Sequence, residues 1–126
     1  RASDIGRRGP LVARFLYFTR DEFACRCGCQ RNEIPDHFIH DMDDLREACG
    51  FPLIINSGWR CEKHPEEAKK AKPGQHNIAA ADIRSHNGHQ LYVIQEKAFE
   101  IGFEGIAAGP GFVHVDKRKT KTSWTY

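Results

Sequence analysis

The sequence has no long apolar run. Its densest stretch, Phe51-Pro-Leu-Ile-Ile55, is a third or less of the roughly 20 residues that a membrane helix needs, so no membrane span is expected. It has no strong excess of either charge. The 19 Lys+Arg against 17 Asp+Glu leave a formal +2, whereas a dedicated nucleic-acid binder usually shows a large basic surplus, so nucleic acid is not an expected partner. No charged-then-apolar leader opens the chain, which begins at Arg1, so an upstream piece is expected to have been removed or left out. Internal repeats and low-complexity tracts are missing. So is a helical His-Glu-x-x-His, which excludes the commonest metalloprotease arrangement.

The 126 residues that are present have 40% apolar and 29% charged side chains, an ordinary globular balance for one domain. Residues 1–15 are basic and without periodicity and are read as a mobile arm; residues 16–126 are read as the domain. A short helical turn is expected at 18–23, capped by Thr19 with Glu22 three residues on. Ile34, Phe38, Met42 and Leu45 recur at helical spacing, which predicts a helix over 34–49 with Asp41, Asp43, Asp44 and Arg46 turned outward. Pro35 suits its first turn and Gly50 its stop. Residues 52–56 read as a compact buried strand, 62–71 as a polar helix or loop broken at Pro73-Gly74, and 79–83 as a strand at a crowded sheet centre. A second helix is expected at about 89–101, followed by a hairpin of 103–107 and 112–116. The class is α+β, a small antiparallel sheet with helices packed on it.

Five cysteines are an odd number, so complete pairing within one chain is excluded. Three lie in Cys25-Arg-Cys27-Gly-Cys29, which reads either as small buried thiols with one disulfide or as a structural metal site. A single residue between cysteines departs from the usual zinc-knuckle spacing of two or more.

Of seven histidines, His37, His40, His64, His86 and His89 stand among charged neighbours and read as solvated. His76 follows a turn signal, and Asp82 lies six residues later among alanines, where an unpaired buried carboxylate would be costly. His114 sits inside an apolar strand, and alternation puts Phe112, His114 and Asp116 on one face. Two imidazoles and a carboxylate are a ligand set of catalytic zinc, which keeps a further position open.

Five blocks in order, Phe23-Ala-Cys-Arg-Cys-Gly-Cys29, Ile55-Asn-Ser-Gly-Trp-Arg-Cys61, Pro73-Gly-Gln-His76, Ala80-Ala-Asp-Ile83 and Gly111-Phe-Val-His-Val-Asp116, resemble one family. It is the zinc D-Ala-D-Ala carboxypeptidases and L-Ala-D-Glu endopeptidases of bacteria and their phages, in the short branch found as phage endolysins. The likeness covers about residues 16–124. It implies a Hedgehog/DD-peptidase-like fold and zinc held by His76, Asp82 and His114. It also implies that Arg60 faces the substrate, with Ser57 and Gln75 as further hydrogen-bonding groups; Trp59 reads as core. The chain departs from the pattern twice: five residues rather than six, and no glycine, separate His76 from Asp82, and Gly111 stands where other branches carry a glutamate base. Asp116 is the nearest substitute, as base or as an orienting group for His114.

The implied function is hydrolysis of an amide bond in the peptidoglycan stem peptide, in wall turnover or phage lysis, by a monomer acting at the cell wall. The alternatives are an inactive wall- or protein-binding module on the same fold and a virion-associated structural component.

Overall fold

A computed structural model of the chain describes residues 15–29, 31–72 and 74–126. The arm expected over 1–15 lies outside the described residues except for Phe15, whose ring sits 4.9 Å from that of His40 and packs on the core. Pro73, the expected breaker, also lies outside them.

The helices are α1 (Asp36–Cys49), the single turn α2 (Pro65–Ala68) and α3 (Gly88–Ile101). The strands are β1 (Ile55–Ser57), β2 (Ala80–Arg84), β3 (Gly105–Gly109), β4 (Phe112–Asp116) and β5 (Thr122–Thr125), with 3-10 turns at Arg20–Phe23 and Gln75–Asn77. The five strands form one sheet in the order β1-β2-β4-β3-β5. The α+β class holds, with one change: β5 was not anticipated, and it joins the edge parallel to β3 while every other pair is antiparallel.

Helix α1 buries Phe38, Met42 and Leu45, with Ile34 before it, and ends where Gly50 takes a left-handed conformation, φ 77°. Pro35 occupies the capping position itself, one residue earlier than expected. Asp43 and Asp44 do not point outward: both are buried. The incoming chain crosses that side of α1, and the Asp43 carboxylate accepts the backbone N–H of Leu16 at 2.8 Å and of Tyr17 at 2.9 Å. Helical periodicity registers apolar faces only, so a carboxylate serving as a buried acceptor for another segment escapes it.

Phe38 meets Phe23 and Phe103 edge-on, at 6.4 and 5.8 Å between centroids, and such pairs add about 0.5–1.5 kcal/mol to the burial of each ring. Helix α3 packs on α1, β3 and β4, burying Ile94 and Ala98 with Leu91 and Ile101 at the margin. The segment expected as a strand over 52–56 pairs only from Ile55, and Ile54 is exposed, so β1 is a short edge strand rather than one buried on both faces.

Alternation along β2 and β4 divides the sheet. Ala81, Ile83, Val113 and Val115 join the core under the helices. Asp82 stands directly across from His114, His114 across from Ala107, and Ala107 across from Trp124, so one row crosses the opposite face from β2 to β5. That row is the floor of the site.

Candidate metal centre

Donor atoms of His76, Asp82 and His114 converge within 4.8 Å of one another. The sheet register delivers Asp82 and His114, and the 3-10 turn Gln75–Asn77 brings His76 over them. The five-residue spacing between His76 and Asp82 is therefore enough: the tight turn runs almost directly into β2.

Each imidazole has one nitrogen engaged behind it. His76 Nδ1 lies 2.7 Å from the Gly58 carbonyl oxygen, a contact in which Nδ1–H donates, leaving Nε2 facing Asp82 Oδ1 at 3.3 Å. His114 Nε2 lies 2.7 Å from Asp116 Oδ2, leaving Nδ1 facing the same Asp82 oxygen at 3.0 Å. With both imidazoles neutral, two lone pairs and a carboxylate aim at one point, an arrangement that suits a cation between them. Ligands of a tetrahedral zinc at about 2.0–2.1 Å stand about 3.3 Å apart, so the donor set fits zinc in chemistry and in size.

Without a metal, the same groups pair with one another. Burial would raise the pKa of Asp82, but hydrogen bonds from His114 and His76 hold it well below the usual carboxylate range. Burial would lower that of His114, and the hydrogen bonds that it donates to Asp116 and Asp82 raise it instead. Asp116 is fully buried; burial opposes its charge, and His114 and Arg118 outweigh that, keeping it well below the ordinary range. The Arg118 guanidinium grips it, Nε to Oδ1 at 2.9 Å and Nη2 to Oδ2 at 2.6 Å. Gly105 makes the room: a Cβ there would fall 2.0 Å from Asp116 Oδ1.

Above the three donors lies a cavity of about 430 Å³ lined by Arg60, Gln75, Arg118, Trp124 and Tyr126 among others. The Arg60 side chain is braced by Ser57, Nε to Oγ at 3.1 Å, and its Nη2 lies 3.5 Å from Asp82 Oδ2. Thus Ser57 reaches the site through Arg60, while Gln75 lines it directly. Trp59 is buried, as expected, and its indole N–H donates to the Asn77 carbonyl. Gly58 is pinned from the other side, because a Cβ on it would come 2.6 Å from the Phe23 backbone.

A family model described as Peptidase M15 matches residues 16–116. The chain belongs to the Peptidase M15 family. M15 peptidases are zinc-dependent, in keeping with the donor set of His76, Asp82 and His114. No curated protein matches the chain. Sequence reading did not find several residues around this M15 centre: Trp124, 5.2 Å from the His114 ring, Tyr126 at 6.4 Å, Arg118, and Glu66 at the cavity wall. The alternating Thr122-Ser-Trp-Thr-Tyr126 was the available signal for the first two, since a strand there must face one aromatic pair to one side. His64, read as solvated, instead caps α2, its Nδ1 accepting the Glu66 N–H at 3.1 Å.

Proposed function

We propose that the protein hydrolyses an amide bond in the stem peptide of peptidoglycan, at the cell wall, with zinc held by His76 Nε2, Asp82 and His114 Nδ1. The convergence of these three donors on the floor of a cavity faced by Arg60 carries this reading. Zinc bound there supplies Lewis acidity, polarising a carbonyl and making water a nucleophile near neutral pH.

The chain's own residues do the rest. The Arg60 fork, braced by Ser57, holds a substrate carboxylate or the carbonyl oxygen as it gains charge. Gln75 offers an amide to the peptide backbone, and Trp124 and Tyr126 give an aromatic wall. Asp116 works through His114: both its oxygens are taken by His114 and Arg118, so it orients the ring instead of receiving a proton from the cavity. Of the lining residues, Glu66 is then the remaining carboxylate for taking up and returning the proton.

The test is incubation of the zinc-loaded protein with purified stem peptides, with products read by mass spectrometry. Cleavage at one amide bond, lost on chelation and restored by zinc, is the expected result and names the bond. Zinc binding with intact peptides would leave the wall-binding module as the better reading.

A further inference from the structure

The M15 centre leaves the cysteines unexplained. Four of them, Cys25, Cys27, Cys29 and Cys61, bring their sulfurs within 4.8 Å of one another. Cys27 Sγ lies 3.4 Å from Cys25 Sγ and 3.4 Å from Cys61 Sγ. Four thiolates around a tetrahedral zinc at about 2.3 Å stand about 3.8 Å apart, so the two 3.4 Å separations fall within a few tenths of an ångström of such a shell, and the remaining pairs lie within about an ångström of its edge or closer.

We infer that Cys25, Cys27, Cys29 and Cys61 form a second, structural zinc site with all four positions filled by sulfur. The one-residue spacing, which fits a usual knuckle poorly, works because residues 26–29 are coiled into turns. Extended, the alternate cysteines would share a face but stand about 6–7 Å apart per step. Gly28 at φ 98° supplies the left-handed residue that folds the run back on itself. Cys61 arrives from the far end of the β1 block, and its backbone N–H donates to Cys25 Sγ at 3.3 Å. The Arg31 N–H donates to Cys29 Sγ at 3.4 Å, and the Cys25 N–H to the Arg31 carbonyl closes the loop. Donors aimed at sulfur stabilise thiolate and fix ligand direction, as supporting groups around a metal do. The odd cysteine count is also resolved: Cys49, at the end of α1, stands outside the group.

Filled on all sides, such a site has no position for a substrate, and its effect is mechanical. It ties the 25–29 loop to the residue after Arg60, so the guanidinium that faces the cavity is fixed at its base by zinc. This assignment is independent of what the M15 centre hydrolyses.

Protein purified under reductant in the presence of zinc is expected to hold about two zinc ions per chain. The His76→Ala/His114→Ala variant should hold about one, and so should Cys27→Ser/Cys29→Ser. Replacing zinc by cobalt(II) separates the centres, because only thiolate ligands give an intense sulfur-to-cobalt charge-transfer band in the near ultraviolet. That band should appear in the wild type and the histidine variant and vanish in the cysteine variant. If the cysteine variant does not fold, the spectrum of the histidine variant still decides the matter. Absence of the band there, iron in place of zinc, or the four cysteines recovered as two disulfides from protein purified without oxidant would each overturn the inference.

Discussion

The two clusters of side chains that could hold a metal ion are built on opposite plans. His76, Asp82 and His114 come from a turn and two paired strands, and their free side opens on a cavity with Arg60 and an aromatic wall. The cysteine group comes from a coiled turn and a loop, and its four sulfurs close on themselves. Three donors, two of them on rigid strands, leave a position for reactants; four on pliable backbone leave none and would gain rigidity from a shared ion. Ligand number and the stiffness of the supporting backbone thus divide a centre for chemistry from one for shape.

The sharpest way to break this contrast is at the open centre. His114→Ala should reduce peptide hydrolysis to background while circular dichroism stays native and the cobalt–thiolate band persists. Hydrolysis surviving that change would remove the histidine centre from the reaction. Next in size, Arg60→Ala should lower turnover by about 10²–10³-fold at unchanged zinc content, and Arg60→Lys should recover only part, since an ammonium lacks the planar fork. Steady-state rates beside elemental analysis check both.

Asp116→Asn sharpens the comparison further. A residue that orients His114 should, when changed, weaken zinc by about 10–100-fold, with added metal restoring most of the rate. A base would instead lose its rate with zinc intact, which metal titration on this one variant would reveal. The His114 pKa is raised in the metal-free protein, so the ring keeps its proton to a higher pH than an ordinary histidine, whose pKa is about 6.5. Zinc must displace that proton, and its affinity at this centre should fall as the pH drops through the raised value. Competition with a coloured chelator between neutral and mildly acid pH measures it, and a flat profile would contradict the ligand role of Nδ1. Smallest for function, Asp43→Ala should cost about 1–3 kcal/mol in urea unfolding by stranding the Leu16 and Tyr17 N–H groups, with zinc content unchanged from the parent protein.

His76, Asp82 and His114 could be singled out from sequence because each breaks the pattern around it: a carboxylate among alanines, an imidazole in an apolar strand. Such exceptions point to a partner without naming it. The helices α1 and α3 were readable for the complementary reason, their apolar residues keeping helical spacing to the end. What stayed hidden depends on distant meetings. Cys61 joins a run 32 residues away, Asp43 serves backbone 26 and 27 residues upstream, and β5 adds to the edge at β3, two strands back in chain order, which nothing in its own alternation foretells. Asp116 was placed beside His114 by strand periodicity, but the grip of Arg118 two residues on required the turn after β4 to be seen.

Gly58 stands between the two clusters. Its carbonyl holds the His76 ring, its neighbour Trp59 donates to the Phe23 carbonyl at 2.8 Å, and the Phe23 backbone occupies the space any side chain would need. In a saturation library this position should therefore tolerate no replacement, and it should do so without touching metal or substrate. Gly88, whose Cβ would meet nothing within 4 Å, should accept many. Sequence drift can then reshape the cavity wall through Trp124, Tyr126 or Gln75, but not through the bend that aims His76. Selection for a new substrate would have to move around a fixed hinge point that carries no chemistry of its own.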